Sequence, residues 1–322
     1  MLVFFEGSEK KVEILVHHEQ LSLLNDLNDD FWSELVIRCH AKILSSIRNE
    51  HCKAFLLSES SLFVWDNCFL ILTCGETNLV NSVEYFIQQL GVDKIKHLTY
   101  QRKNEYFSHA QPSCFGDDIK QLTKYIPGKA MRFGAMDSHH NFVFHQDNDF
   151  QASIDDKTYE IFAYQISQDA SNHLTRQGLK SHDIRQFLRL EQLIPNFEID
   201  DFVFDPYGYS VNAIFGKKYF TIHITPQADS SYVSFESNIN LIELVPIILA
   251  VLQPSSFDLL SYNETEFEEL TAINIPKNYV SQSLVKQKLT NGFLVNFANY
   301  ILPTQQFTKA TELDVTGENH EL

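Results

Sequence analysis

The 322-residue sequence is short of paired cysteines, of basic side chains and of long apolar runs. Its five cysteines are an odd number with no Cys-x-x-Cys spacing, which argues against a disulfide framework and a zinc site and favours a reducing cytoplasm. Lys and Arg total 25 against 42 Asp and Glu, and the net charge of −17 disfavours nucleic acid and anionic membranes as partners. The longest apolar run, residues 241–252, contains Glu243 and Pro246 and is too short to cross a bilayer. We therefore expect a cytoplasmic protein with no metal, nucleic-acid or membrane partner.

The residues that are present are typical of a folded chain with a large core. Hydrophobic residues make up 44% and charged residues 21%, and a chain of this length can bury two or more layers. No Pro-, Gly- or Ser-rich linker divides the sequence. We predict a single domain over residues 1–307, followed by a polar tail over 308–322.

Helical and strand patterns alternate along the chain, which favours an α+β fold. Thr77 is the predicted N-cap of the helix over 78–90, and Gly91 its stop. In the clearest hairpin, Thr221 and His223 share one face of the first strand. The spacing predicts helices over 29–40, 78–90, 116–125, 181–193 and 241–252, and strands over 53–57, 62–65, 68–73, 95–100, 131–135, 141–145, 159–166, 219–225, 232–236 and 257–262.

A group of histidines, His139, His140 and His145, invites a metal-binding interpretation. Their spacing matches no metal motif, so we predict a surface cluster and no metal site.

One segment dominates the functional interpretation. Residues 55–64 read Phe-Leu-Leu-Ser-Glu-Ser-Ser-Leu-Phe-Val, and this segment resembles the self-cleavage site of eukaryotic-type S-adenosylmethionine decarboxylase proenzymes. Other segments resemble the same family in the same order: Phe4-Phe5-Glu6-Gly7-Ser8-Glu9-Lys10, Leu72-Thr73-Cys74-Gly75, Tyr100-x-Arg102-Lys103-Asn104, Pro206-x-Gly208-Tyr209-Ser210-x-Asn212, Thr221-Ile222-His223-Ile224-Thr225-Pro226 and Ser231-Tyr232-Val233-Ser234-Phe235-Glu236.

The resemblance implies a four-layer α/β/β/α sandwich and a self-made cofactor. Ser60 would attack the carbonyl of Glu59, and the chain would be cut into residues 1–59 and 60–322 with a pyruvoyl group at position 60. That group forms a Schiff base with the substrate amine and accepts the electrons released by decarboxylation. The implied activity is decarboxylation of S-adenosylmethionine for spermidine and spermine synthesis, by a monomer or a homodimer of cleaved protomers.

The resemblance also implies roles for individual residues. Processing would use Glu59, Ser60, Ser210 as the oxyanion donor and His223 as the base; catalysis would use Ser60, Cys74 as the acid, Glu6 and Glu9; and substrate binding would use Phe5, Leu57, Glu59, Phe204 and Gln227. Ordinary structural roles remain open for His223 as a strand histidine, for Cys74 as a buried thiol, and for Phe5 and Phe204 as core residues.

The sequence departs from the family at Gln227, where a Glu is usual. Gln offers one uncharged acceptor, so a Glu at this position is expected to bind substrate more tightly. The departure leaves open a pyruvoyl-dependent decarboxylase of another amino acid, and a non-catalytic regulatory paralogue is a separate alternative. The paralogue is disfavoured because Ser60, Cys74, Ser210 and His223 are all present.

A second group of residues resembles the buried acidic cluster that binds an activating diamine in many family members: Glu13, Asp156, Thr158, Glu160 and Glu236. Leu72 stands where diamine-activated members tend to have Lys, and Lys11 stands where diamine-independent plant members have a basic residue. Because buried carboxylates must be neutralised, Lys11 could act as an internal cation. We then expect little or no activation by putrescine. The alternative is that Lys10 and Lys11 lie on a solvated face.

Overall fold

The computed structural model describes residues 5–227 and 231–303, which form two eight-stranded antiparallel sheets. The first sheet contains β1 (Lys10–Val16), β2 (Ile43–Arg48), β3 (Cys52–Leu57), β4 (Ser60–Trp65), β5 (Cys68–Thr73), β6 (Ile95–Lys103), β7 (Gly128–Phe133) and β8 (Asn141–Gln146). The second contains β9 (Thr158–Tyr164), β10 (Glu198–Val203), β11 (Tyr209–Phe215), β12 (Lys218–Thr225), β13 (Tyr232–Ser237), β14 (Ser256–Tyr262), β15 (Val280–Lys288) and β16 (Leu294–Ile301).

The two sheets have the same strand order. The first runs β2-β3-β4-β5-β1-β6-β8-β7, and the second runs β10-β11-β12-β13-β9-β14-β16-β15, in which every number is eight higher. The two halves of the chain therefore fold in the same way, although no sequence repeat is apparent by eye. Strand β4, which begins at the predicted cleavage residue Ser60, and strand β12, which contains His223, occupy equivalent places in the two sheets.

The helices are α1 (Leu23–Asp26), α2 (Asp29–Arg38), α3 (Val80–Leu90), α4 (Phe115–Leu122), α5 (Gln168–Leu174), α6 (Ser181–Leu188), α7 (Leu190–Leu193), α8 (Val245–Leu252) and α9 (Phe267–Asn274). Their apolar faces form one core with each sheet. Trp32 of α2 and Phe86 of α3 pack on Phe69 in the core of the first sheet. Ile184 of α6 and Leu249 of α8 lie in the core of the second.

The opposite faces of the two sheets meet each other. Phe63 of β4 packs on Tyr219 of β12, and Val143 of β8 shares a cluster with Phe297 of β16. Helices thus cover both outer faces while the sheets share an inner layer, which confirms the predicted four-layer α+β sandwich. Within the described ranges, no helix is long and apolar enough to cross a membrane.

Most predicted elements are present, and three details were wrong. The helix predicted over 181–193 is broken at Arg189, whose φ of 56° is left-handed. Thr77 does not cap α3; its hydroxyl bonds Thr73 and the Cys74 carbonyl, and the N-cap is Leu79. The run over 241–252 begins as a 3-10 helix, Leu241–Leu244, before α8. The predicted tail, 308–322, lies outside the described residues.

Candidate active site at the Glu59–Ser60 turn

The predicted cleavage bond lies in a tight hairpin turn. Strands β3 and β4 pair with Leu57 opposite Ser60, which leaves Ser58 and Glu59 as the two-residue loop. Ser60 has a φ of 136°, a backbone conformation that residues with a Cβ rarely adopt. Such a conformation costs about 1–3 kcal/mol and is found mainly at functional sites. The turn therefore strains the backbone of Ser60, directly next to the Glu59–Ser60 bond.

The Ser60 hydroxyl meets a histidine from the opposite sheet. Ser60 Oγ lies 2.9 Å from His223 Nε2, and Ser210 Oγ lies 2.9 Å from the other ring nitrogen, Nδ1. Burial lowers the pKa of His223 to about 3, so the imidazole is neutral at physiological pH. A neutral imidazole in contact with a hydroxyl can act as a general base. Ser210, the predicted oxyanion donor, thus contacts the ring of His223.

Three further polar residues line the same space and were not among the sequence-based candidates. Ser61 Oγ donates to Asn212 Oδ1 at 2.5 Å and lies 3.2 Å from His223 Nε2. Thr221 Oγ1 lies 2.9 Å from the same nitrogen and donates to the Val211 carbonyl at 2.9 Å. All three lie in segments that resemble the family, and Thr221 shares a strand face with His223, but neither signal assigned them a role.

The carbonyl oxygen of Glu59 is held by Cys74. The Cys74 backbone N–H donates to it at 2.9 Å, and the thiol lies 3.3 Å from the same oxygen. Burial and the nearby Glu59 carboxyl raise the pKa of the Cys74 thiol well above its ordinary value. The thiol therefore keeps its proton, and it lies beside the bond that the sequence predicts to be cut.

Gly75 allows the next close approach. Its φ is 63°, and a Cβ there would lie 2.9 Å from Glu59 Oε2 and 3.0 Å from the Phe5 ring. Lys10 Nζ donates to the Gly75 carbonyl at 3.0 Å and to Gln111 Oε1 at 2.7 Å. Only 1% of Lys10 is exposed, so the alternative of a solvated position for it is wrong. Burial and the neighbouring Arg102 lower the pKa of Lys10 to about 8.

The two acidic candidates of the N-terminal segment are both buried. Glu6 accepts hydrogen bonds from the backbone N–H groups of Ser8 at 3.1 Å and Phe107 at 3.0 Å. Glu9 accepts from the Ser234 hydroxyl at 2.6 Å, and burial raises its pKa to about 8 despite that bond. Burial also raises the pKa of Glu59 to about 7. Glu9 and Glu59 are therefore more easily protonated than ordinary carboxyl groups.

Of the predicted substrate-binding residues, Phe5 and Gln227 lie at the edge of this site. Phe5 is 40% exposed, and its backbone pairs twice with Gln227: its N–H donates to Oε1 at 3.2 Å, and its carbonyl accepts from Nε2 at 2.7 Å. The ring of Phe204 packs edge-on against Phe202 at 4.9 Å. The Leu57 side chain is fully buried in the helix-facing core, so its backbone is the part at the turn.

The acidic cluster lies between the sheets and contains Lys11. Lys11 Nζ contacts Glu160 and lies 3.2 Å from Glu236, and the side chain is 8% exposed, so a solvent-facing position is excluded. Burial lowers the pKa of Lys11, but these two carboxylates outweigh it and hold the pKa above its ordinary value. Burial and the neighbouring Asp156 raise the pKa of Glu13 to about 8. Thr158 begins β9 beside this group, and Leu72 pairs with Lys11 across β5 and β1.

Of the three histidines predicted to form a surface cluster, His139 and His140 are partly buried and His145 is buried. His145 is fully buried, so that prediction is wrong for it, and His139 stacks on Tyr164 with ring centroids 3.7 Å apart. Among the described residues, no group of three or more His, Cys, Asp or Glu could hold a metal ion.

Comparison with known proteins gives a consistent set of relatives. The sequence profile of the adenosylmethionine decarboxylase family matches residues 3–308. Proteins named S-adenosylmethionine decarboxylase proenzyme are similar to this chain: one from Leishmania infantum is 28% identical over 97% of this chain and 86% of its own length, and one from Caenorhabditis elegans is 32% identical over 78% and 73%. The crystal structure of the Trypanosoma brucei AdoMetDC-delta26 monomer matches with a TM-score of 0.60 at 22% identity, over 76% of this chain and 99% of that one, which shows a shared fold.

Proposed function

The chain belongs to the adenosylmethionine decarboxylase family, and we propose that it cuts itself at Glu59–Ser60 and then decarboxylates S-adenosylmethionine with a pyruvoyl group made from Ser60. The observation that carries this proposal is the contact of 2.9 Å between Ser60 Oγ and His223 Nε2, made across the two sheets at a residue with a strained backbone. A serine with a purely structural role would not require a left-handed φ, a neutral imidazole next to its hydroxyl and a preceding carbonyl, that of Glu59, fixed by hydrogen bonds.

The first step is an N→O acyl shift. Ser60 Oγ bonds to the carbonyl carbon of Glu59, the Glu59–Ser60 C–N bond breaks, and the hydroxyl proton passes to the released nitrogen. Negative charge develops on the Glu59 oxygen, where the Cys74 N–H already donates. The product is an ester in which Ser60 has a free amino group. The strain at Ser60 favours this step because bond rearrangement relieves it.

The second step is an elimination. His223 takes the α-proton of Ser60, the Cβ–Oγ bond breaks, and Glu59 leaves as the carboxylate end of residues 1–59. Residue 60 is then dehydroalanine, whose imine form gains a water and loses ammonia to give the pyruvoyl group. The residues present fit that group because the hydroxyl, the base and the held carbonyl meet at position 60.

Once formed, a pyruvoyl group supplies an electron sink for loss of CO2 from an amino acid. The surrounding residues would bind the substrate and place a proton. Cys74 keeps its proton and would donate it to the α-carbon after decarboxylation. Phe5 and Phe204 would offer aromatic surfaces to adenine and to the sulfonium. Glu6, Glu9 and Glu59 would line this part of the site, and the net charge of −17 favours a cationic substrate.

No observation favours the other two functions that the sequence left open. Ser60, Cys74, Ser210 and His223 lie together in the site, which argues against a non-catalytic paralogue. Gln227 forms two bonds with the Phe5 backbone, so its departure from the family has a structural role without a change of substrate.

The proposal extends to Lys11, which would neutralise the buried carboxylates in place of a diamine. Its contacts with Glu160 and Glu236 support this role. A cytoplasmic location, as a monomer or a homodimer, is also part of the proposal. All five cysteines are free, which supports a reducing compartment.

The test is release of labelled CO2 from carboxyl-labelled S-adenosylmethionine, with Ser60→Ala as the matched control. We expect release by the native protein, none by Ser60→Ala, and loss of activity on treatment with a carbonyl reagent such as phenylhydrazine. CO2 release from another amino acid but not from S-adenosylmethionine would overturn the substrate assignment.

A further inference from the structure

Three hydroxyl oxygens crowd one ring nitrogen of His223. Ser60 Oγ and Thr221 Oγ1 each lie 2.9 Å from Nε2, and Ser61 Oγ lies 3.2 Å from it. The other nitrogen, Nδ1, faces Ser210 Oγ at 2.9 Å. A neutral imidazole has one N–H and one lone pair, so three hydroxyls cannot all donate to Nε2.

The other bonds of these hydroxyls show where their hydrogens lie. Ser61 donates to Asn212 Oδ1 at 2.5 Å, and Thr221 Oγ1 lies 3.2 Å from the same oxygen. Thr221 donates to the Val211 carbonyl at 2.9 Å. The Ser60 hydroxyl forms a hydrogen bond with His223 Nε2.

The arrangement in which Ser61 and Thr221 donate to these two carbonyl oxygens implies one tautomer of the ring. Ser60 donates its proton to Nε2, and Nδ1–H donates to Ser210. Ser61 and Thr221 have used their hydrogens elsewhere and therefore turn oxygen lone pairs towards Nε2. These lone pairs repel an unprotonated nitrogen and attract a protonated one. The site therefore stabilises His223 when Nε2 is protonated.

We propose that Thr221, assisted by Ser61, is a positioning residue that stabilises the protonated Nε2 of His223 and so makes this imidazole an effective base in self-cleavage. The proposal rests on the proposed function and names residues that set the basicity of its base. It is needed because burial lowers the pKa of His223 to about 3, which makes the ring reluctant to accept a proton. Two oriented hydroxyl oxygens oppose that effect.

The two steps of self-cleavage depend differently on this stabilisation. In the acyl shift the Ser60 proton ends on the released nitrogen, so His223 carries no net proton afterwards. In the elimination the α-proton of Ser60 stays on Nε2 while the Cβ–Oγ bond breaks and the Glu59 carboxylate leaves. Loss of the Thr221 oxygen should therefore slow elimination more than the acyl shift, and the ester should accumulate.

The experiment follows self-cleavage of newly synthesised full-length chain over time in Thr221→Val, Thr221→Ser and Ser61→Ala. We expect cleavage of Thr221→Val to be about tenfold to a hundredfold slower and that of Thr221→Ser to stay within about threefold of the native rate, because only the first loses an oxygen bonded to a charged group. Hydroxylamine added at neutral pH to uncut Thr221→Val should split it at Glu59, because hydroxylamine attacks esters under these mild conditions, whereas an Asn–Gly peptide bond such as Asn291–Gly292 reacts only under alkaline, denaturing conditions. Ser61→Ala should show the same effects more weakly.

The outcomes separate this inference from the proposed function. Thr221→Val cleavage at the native rate, slow cleavage with no hydroxylamine-sensitive ester, or equal slowing in Thr221→Ser would each overturn the inference and leave the function intact. If Thr221→Val does not fold, Ser61→Ala decides: native cleavage without ester would overturn it. A native chain that never cuts itself would refute both.

Discussion

Cys74 contacts the carbonyl oxygen of Glu59 through two groups: its backbone N–H donates to that oxygen at 2.9 Å, and its thiol lies 3.3 Å away. The N–H lies where charge would develop during the acyl shift. The thiol, which burial keeps protonated, would be released when the Glu59 carboxylate departs. Cys74 would thus assist self-cleavage through its backbone N–H and, afterwards, decarboxylation through its thiol.

The division between these atoms can be tested with Cys74→Ala. This variant keeps the backbone N–H and loses the thiol, so it should still cut itself. Its turnover should fall by about a hundredfold or more because the acid is gone. Protonation at the wrong carbon should also convert the pyruvoyl group to alanine, which intact mass would show. Normal turnover with an unaltered pyruvoyl group would remove Cys74 as the acid.

Glu9 should make folding stability depend on pH. Its pKa rises to about 8 in the folded protein, from the ordinary 4.5, so between these values the folded state holds a proton that the unfolded state has lost. The free energy of unfolding therefore falls as pH rises, by about 1.4 kcal/mol per pH unit and about 2 kcal/mol between pH 6.5 and 8.

Urea unfolding in a Ser60→Ala background measures this effect. Glu9→Gln cannot ionise, so it should lose less stability than its parent between these two pH values. Glu76→Gln, which changes an exposed carboxylate, is the matched control and should behave like the parent. Identical pH dependence in parent and Glu9→Gln would show that Glu9 is ionised in the folded protein.

Putrescine should have little or no effect on the native protein, because the Lys11 ammonium already neutralises Glu160 and Glu236. In Lys11→Leu those carboxylates lose their cation, so cleavage and decarboxylation should become slow and should be restored by putrescine. Lys11→Arg keeps the charge and is the control. Several-fold stimulation of the native protein, measured against putrescine concentration, would contradict the assignment of Lys11.

Gln227→Glu should not improve substrate binding, contrary to the expectation from the sequence alone. The Nε2 of Gln227 donates to the Phe5 carbonyl at 2.7 Å, and a carboxylate would face that carbonyl with no hydrogen to donate. The loss of one hydrogen bond should raise KM for S-adenosylmethionine by about threefold to tenfold. A lower KM in steady-state kinetics would show that the substrate contact outweighs the bond to Phe5.

The sequence predicted much of the fold because alternation along strands is a local property. It placed Thr221 and His223 on one face of a hairpin, and that face does point between the sheets. It did not predict that Ser61 and Asn212 complete the surroundings of His223. Ser61 and His223 are 162 positions apart in the chain, and periodicity says which face a residue occupies but not what lies opposite.

The charged residues show the same limit. Lys10 and Lys11 are adjacent in a charged segment, which is typical of a solvated surface. Both are buried, because β1 lies inside the first sheet between β5 and β6, and each finds its own acceptors: the Gly75 carbonyl for Lys10 and two carboxylates for Lys11. Those partners come from other strands, so local sequence could not distinguish burial from exposure.

Intact mass under denaturing conditions tests self-cleavage at Ser60 most directly, with Ser60→Ala and Ser58→Ala as variants of the same turn. We predict two fragments for the native chain and for Ser58→Ala, residues 1–59 with an ordinary carboxylate end and residues 60–322 with a blocked pyruvoyl end. Their summed mass should differ from the uncut chain by one water gained and one ammonia lost. Ser60→Ala should remain a single chain. A fragment that begins with an ordinary Ser60 amine, or cleavage that persists in Ser60→Ala, would contradict the account.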